Sequence, residues 1–249
     1  MKFIMKYEYN ENHEIRYSET DSNLKLSLVS SMNLAQDMMT KYFGKIKSDN
    51  VTNKTKFNAI WVVTKTKVHF EKIPEWNEKI ESISHNIDSK KVRILLETAF
   101  KMKENLAFVV IHECCPIDVT TRKIRRLDSI SYPENLEIAD ATYSTTFAKL
   151  SSNFTGEDFV KKITVQPTDI DYNNHTNNVS YVRFIMNCFK TDFWDNKHIE
   201  DFEINYINES REGEELSIYI KEISKNIIDI LIKKDDKEIV KARIKTVIN

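Results

Sequence analysis

One arrangement, given twice, limits what this chain of 249 residues can fold into: an amphipathic helix followed by a series of segments that alternate apolar and polar with period two. From Ser27 to Phe43 the residues Leu28, Met32, Ala35, Met39 and Phe43 recur at steps of three and four, behind serines suited to capping and ahead of Gly44. That spacing predicts a helix stopped by the glycine. A second predicted helix follows Asn177, where Val179, Val182, Met186, Phe189 and Phe193 form one stripe. Val92 to Met102 and Val240 to Ile248 alternate as strands with one buried face. Further strand candidates run over Ile60 to Phe70, Lys79 to Ile87, Leu106 to Cys115, Phe202 to Tyr206, Glu215 to Glu222 and Ile227 to Lys233.

The two halves can be laid over one another. Thr20-Asp21 before the first helix pairs with Thr168-Asp169 before the second, and Val68-His69-Phe70 pairs downstream with Ile204-Asn205-Tyr206. The expected organisation is a domain over 1–140, a linker over 141–155 and a domain over 156–249, the linker region being rich in Ser, Thr and Asn. A helix wrapped by an antiparallel sheet, twice in tandem, is the pattern of an α+β double hotdog fold; an unrelated pair of α+β domains is the alternative.

Composition removes several functions. The charges nearly cancel, 37 Lys plus Arg against 38 Asp plus Glu, so nothing global calls for nucleic acid. Three glycines are too few for the clustered glycine loops that cradle a nucleotide, and no cofactor is expected. The opening MKFIMKYEYNENHE has no apolar signal region, and no apolar run approaches the roughly 18 residues of a membrane span, so the expectation is a cytoplasmic protein without stable membrane insertion. Cys114, Cys115 and Cys188 have neither metal-ligand nor disulfide spacing and read as small buried apolar residues.

The densest polar constellation is Thr168-Asp169-Ile170-Asp171-Tyr172-Asn173-Asn174-His175-Thr176-Asn177-Asn178, directly ahead of the second helix. In an extended segment Asp171, Asn173 and His175 project to one side. Beside a helix N-terminus, whose amides can stabilise an oxyanion, they are suited to catalysis. Capping by Asn177 or Asn178 with a solvated loop explains the same residues equally well. An EF-hand does not, since Asn174 stands at its glycine position and Ser180 at its closing glutamate. The remaining histidines form no HxxxH pair, so no metal is expected, and a Gly-x-Ser-x-Gly elbow is absent.

Asp169-Ile170-Asp171-Tyr172-Asn173-Asn174-His175-Thr176-Asn177-Asn178-Val179-Ser180-Tyr181 resembles the acyl-ACP thioesterases of plants and bacteria, whose second hotdog carries Asp-x-Asn-x-His and then x-Asn-Asn-Val-x-Tyr. Ala35-Gln36-Asp37, Trp61-Val62-Val63-Thr64, Ile73-Pro74-Glu75-Trp76 and Thr121-Arg122-Lys123-Ile124-Arg125 are similar to the family as well, in the right order. Tyr206-Ile207-Asn208-Glu209-Ser210 matches the family's Tyr-x-x-Glu-Cys, with Ser210 in place of the cysteine, and Thr176 replaces an apolar residue.

The resemblance implies hydrolysis of fatty acyl thioesters of acyl carrier protein, ending fatty acid synthesis, with Asp171, Asn173, His175 and Glu209 as the catalytic set. Asp171 would be the nucleophile or the general base, Asn173 would align it, and His175 with Glu209 would deprotonate water. Paired as above, the first half offers Asn23, Lys25, Ser27 and Ile73 at these positions and lacks the set, so it is expected to hold the acyl chain instead. Asn177 and Asn178, with Trp61, Met32 and Met39, are the substrate-binding candidates, and Arg122, Lys123, Arg125 and Arg126 the candidate docking patch for the acidic carrier. The protein is expected to be a monomer or homodimer. An acyl-coenzyme A thioesterase, or a non-catalytic acyl-binding or dehydratase-like hotdog protein, is the alternative.

Overall fold

A computed structural model describes residues 7–151 and 153–248. The chain divides into two compact units, Met1–Thr145 and Thr146–Asn249. Each is one antiparallel five-stranded sheet with a helix inserted between its first and second strands, an α+β arrangement of hotdog type.

In the first unit β1 (Tyr9–Glu14) leads into α1 (Leu28–Lys45) and α2 (Asn50–Phe57), followed by β2 (Ala59–Phe70), β3 (Lys79–Lys90), β4 (Arg93–Met102) and β5 (Asn105–Asp118). The sheet order is β1-β3-β4-β5-β2. The Ser27 side chain caps α1 by accepting from the Ser30 amide at 3.1 Å. Leu28, Met32, Ala35, Met39 and Phe43 are all buried, as their spacing predicts, and α1 packs on β3, β1 and β4. Gly44 does not stop the helix: α1 continues through Lys45 and closes where Lys47 takes φ +56° and the Ser48 amide reaches back to the Phe43 carbonyl at 2.8 Å. A left-handed lysine there satisfies the last carbonyls as a glycine would have done.

Trp61 on β2 stacks on Phe43 with ring centroids 4.8 Å apart, and its indole N–H donates to the Ser48 carbonyl at 2.7 Å. That contact joins helix end to sheet, in a core with Met39, Tyr42, Ile94, Leu96 and Cys114. On the same face of β5 as Cys114 lies His112, fully buried with its Nδ1 2.9 Å from Thr66 Oγ1; burial pushes its imidazole down to about 4.

In the second unit β6 (Phe159–Thr164) is followed by α3 (Asn178–Met186), β7 (Lys197–Tyr206), β8 (Glu215–Ser224), β9 (Ile227–Lys234) and β10 (Lys237–Ile248), in the order β6-β8-β9-β10-β7. The strand order therefore repeats that of the first unit. Register sets apolar rows across the sheet: Ile204, Ala242, Ile230 and Ile220 lie opposite one another, as do Phe202, Ile244 and Ile228. Each row is a set of cross-strand neighbours on one face.

The second helix is shorter than its stripe predicts. It ends at Met186, after which Cys188 and Phe189 donate to carbonyls three residues back, and Thr191–Trp194 forms a separate 3-10 turn. Phe189, Phe193 and Trp194 pack on one another, with centroids 4.8 to 5.4 Å apart, so the aromatic stripe serves a turn rather than two more helical turns. β1, β6 and α2 carry no apolar periodicity and escape the sequence reading.

Because buried His112 stays neutral in the fold and titrates near 6.5 when unfolded, its contribution to stability is present above that pH. It is lost progressively as pH falls from 6.5 towards 4, by up to about 3 kcal/mol. Denaturant titrations at pH 7 and 4.5 should show this loss, and His112→Phe should flatten that part of the slope.

Candidate active site

The polar constellation folds into a tight loop between β6 and α3. A 3-10 turn at Pro167–Asp169 opens it, closed by the Asp169 carboxylate, which accepts from the Gln166 amide at 2.8 Å and pairs with Arg183 on α3. The next carboxylate shapes the loop itself. Asp171 Oδ1 accepts the Asn173 amide at 2.8 Å and the His175 amide at 3.3 Å, while the Asp171 amide donates to the His175 carbonyl at 2.8 Å. Asn174 sits at φ +61°, a left-handed position that asparagine tolerates. Around this turn Asp171, Asn173 and His175 are half-buried and Tyr172 and Asn174 exposed, in a bent rather than an extended segment.

Across from the loop, the segment after β7 brings Glu209 to His175, with Oε2 3.1 Å from Nε2. The Glu209 carboxylate is 42% exposed and His175 is 16% exposed, an imidazole–carboxylate pair at the protein surface. Its neighbour Ser210 is fully buried. Asn177 is the N-cap of α3, its side chain accepting from the Val179 amide at 2.8 Å, and Asn178 is the first helical residue, whose carbonyl accepts from the Tyr206 hydroxyl at 3.4 Å. Capping and a convergent polar site thus coexist.

The first unit contains the same loop, in a register two residues away from that expected. Asp21 Oδ1 accepts the Asn23 amide at 2.8 Å and the Lys25 amide at 3.1 Å; the Asp21 amide donates to the Lys25 carbonyl at 2.8 Å; Leu24 sits at φ +58°; and Ser27 caps α1. The residues equivalent to Asp171, Asn173 and His175 are therefore Asp21, Asn23 and Lys25, not Asn23, Lys25 and Ser27. The pairing on Thr-Asp is wrong because the repeated unit is a hydrogen-bond pattern: Glu19 closes the first 3-10 turn by accepting from the Arg16 amide, as Asp169 closes the second. The Glu209 position is Ile73 as expected, since the Leu26 amide bonds the Pro74 carbonyl at 2.8 Å where the Thr176 amide bonds that of Ser210 at 2.9 Å. What the first unit lacks is the histidine and the glutamate, while the loop-forming aspartate is present in both.

The remaining candidates lie elsewhere. Met32, Met39 and Trp61 are buried in the first unit's core. Of the docking cluster, Arg122, Lys123 and Arg126 are exposed, whereas Arg125 is half-buried and braces the chain, donating to the Phe57 and Ser129 carbonyls at 2.7 and 3.0 Å. Arg126 pairs with Asp128 at 2.6 Å. Sequence reasoning also passed over a cleft of about 310 Å³ in the first unit, where His13 and Glu19 pair at 2.8 Å beside Asp37 and Lys41; His13 lies on the unread strand β1. Among the described residues no group of three or more His, Cys, Asp or Glu side chains is placed to hold a metal ion, and no helix is long and apolar enough to cross a membrane.

Family models for the acyl-ACP thioesterase N-terminal domain and C-terminal domain match residues 6–130 and 152–247. A chloroplastic dodecanoyl-[acyl-carrier-protein] hydrolase of Cinnamomum camphora is 23% identical over 218 residues, covering 81% of this chain and 56% of its own length. That of Umbellularia californica is 25% identical over 167 residues, 62% of this chain and 42% of its own. The chain thus spans about half the length of these curated relatives. Among solved structures, an acyl-ACP thioesterase from Bacteroides thetaiotaomicron superposes with a TM-score of 0.85 at 18% identity, covering 96% of this chain and 98% of that one. The 12:0-ACP thioesterase from Umbellularia californica gives 0.82 at 17%, covering 97% and 98%.

The duplicated aspartate separates loop building from chemistry. Asp21→Ala should lower stability by about 1 kcal/mol through two lost bonds to amides and leave any turnover of the His175 site within about twofold. Asp171→Ala should cost a similar amount of stability and also disorder the segment bearing His175, which paired thermal melts and kinetics will separate.

Proposed function

The chain belongs to the acyl-ACP thioesterase family, and from that premise we propose that it hydrolyses fatty acyl thioesters of acyl carrier protein at the His175–Glu209 pair. The observation that carries this reading is the 3.1 Å contact between the two side chains, next to the capped end of α3, in the unit whose loop the first unit copies without them.

The roles follow from what each group has left to offer. Asp171 Oδ1 is taken by two backbone amides, which favours Asp171 as the residue that shapes the loop over Asp171 as the nucleophile. Water is then the attacking group. His175, oriented by Glu209, takes a proton from the water as its oxygen bonds the thioester carbon. The carbonyl electrons move to oxygen, and the oxyanion faces the first turn of α3, where the Val179 amide is already held by Asn177 and the Asn178 amide is the donor offered. Asn173, half-buried two residues before His175, positions water or carbonyl. Collapse breaks the carbon–sulfur bond, and the proton on His175 passes to the departing thiolate, giving fatty acid and carrier thiol. The buried face of α1 in the first unit is the proposed lining for the acyl tail.

Release of free thiol, followed with a chromogenic reagent on matched carrier-protein and coenzyme A thioesters of graded length, tests the function. His175→Ala and Glu209→Gln should each lose about 100-fold or more in kcat, the scale of a general base and its orienting partner. Near-normal turnover in both folded variants sinks the assignment. Faster hydrolysis of the coenzyme A thioester would move the substrate to that carrier.

Arg122, Lys123 and Arg126 are the proposed contact for an acidic carrier, with Arg125 removed from the set by its structural bonds. Lys123→Glu with Arg126→Glu should lower kcat/KM on the carrier thioester by about tenfold at low salt, and the difference should fade as salt rises. An unchanged, salt-insensitive rate places docking elsewhere.

A further inference from the structure

Behind the His175–Glu209 pair lies a closed set of hydroxyls. Ser210 Oγ is 2.7 Å from Thr176 Oγ1 and 2.8 Å from the Tyr181 hydroxyl; the Ser210 amide donates to that hydroxyl at 3.1 Å; and Thr176 Oγ1 donates to the Ser210 carbonyl at 3.1 Å. All three residues are buried. One assignment uses every proton: Ser210 N–H to Tyr181, Tyr181 O–H to Ser210 Oγ, Ser210 O–H to Thr176 Oγ1, and Thr176 O–H to the Ser210 carbonyl. The circuit begins and ends on the backbone of Ser210.

We propose that this Thr176–Ser210–Tyr181 circuit is a positioning device that holds Glu209 against His175, and that Ser210 is not a nucleophile. Thr176 and Ser210 are the residues immediately after His175 and Glu209, so tying them together fixes both partners of the pair. The Ser210 hydroxyl has its proton and its lone pair engaged and no exposure to a substrate.

The first unit is the internal control. It keeps the backbone bond, from the Leu26 amide to the Pro74 carbonyl at 2.8 Å, but has Leu26, Pro74 and Ser31 where the circuit has Thr176, Ser210 and Tyr181. Pro74 has no amide proton with which to start such a circuit. The fold thus needs only the backbone bond, and the hydroxyls occur in the unit that has the pair to hold. Thr176 and Ser210 are also the two places where the motif departs from the family pattern, and they touch one another.

The proposal rests on the hydrolase reading, and the experiment keeps the two apart. Ser210→Ala, Thr176→Val and the double variant are compared for kcat, KM, pH profile and the His175 imidazole resonances. Each single change should lower kcat roughly tenfold with KM within about twofold, and the double should lose no more than the worse single, because the circuit breaks as a unit. Thr176→Ser should recover most of the turnover lost in Thr176→Val, and it decides the matter if Ser210→Ala fails to fold. The His175 resonances should move in the variants whether or not turnover is measurable. Losses that multiply, an unchanged kcat in folded Ser210→Ala, unmoved His175 resonances, or an acyl ester trapped on Ser210 would each overturn the proposal. Absence of thiol release by the unaltered protein would instead overturn the hydrolase reading, leaving the resonances to test the circuit.

Discussion

A carboxylate oxygen that accepts two backbone amides is the constraint on which the rest of the site depends. Asp171 draws the amides of Asn173 and His175 onto one oxygen and so bends the chain between β6 and α3. Bending places a left-handed residue at Asn174, turns every second side chain inward and delivers Asn177 to the start of α3 as its cap. The amides involved have no sheet or helix partner in a loop this short, and in this half-buried place losing the carboxylate costs about 1 kcal/mol in all. The backbone at His175 is thus set by these hydrogen bonds, and its ring is then met by Glu209.

The same bonds occur around Asp21, and this changes what the aspartate means. A residue that does the same work in a unit without the histidine and glutamate is explained by the loop. His175 and Glu209 are explained only by what they do together, since Lys25 and Ile73 occupy those places in a loop of equal shape. Asp171 thus has a structural account and the His175–Glu209 pair does not.

Much of the fold is legible in the sequence because it is paid for by one-sided burial. Strand β10 alternates in composition because one face packs and the other does not, and α1 shows its buried face at steps of three and four, whereas β4 departs from the expected single buried face: Ile94 to Phe100 are buried on both, Glu97 and Thr98 among them. Where burial does not decide, the sequence is silent. β1, with Tyr-Asn-Glu-Asn-His-Glu alternating half-buried and exposed at the edge of its sheet, owes its conformation to backbone bonds with β3, which leave no apolar signature. The repeat is visible in the sequence, but pairing it on Thr-Asp puts it two residues out of register, because Glu19 and Asp169 perform one task with different side chains while Thr-Asp recurs by identity alone. Glu209 is legible only through the family resemblance; its contact with His175 joins residues 34 apart, a distance no periodicity spans.

Pro74 gives the duplication a direction. Side chains on a shared scaffold can in general be exchanged one at a time, so a twofold-repeated chain could regain a second site by drift. Here the first loop carries, at the place where the second begins its hydroxyl circuit, an imino acid whose nitrogen is closed by its own ring. Restoring histidine and glutamate at positions 25 and 73 would supply the reagents without the frame that aligns them. The asymmetry between the two loops is thus written into the backbone as well as into the side chains.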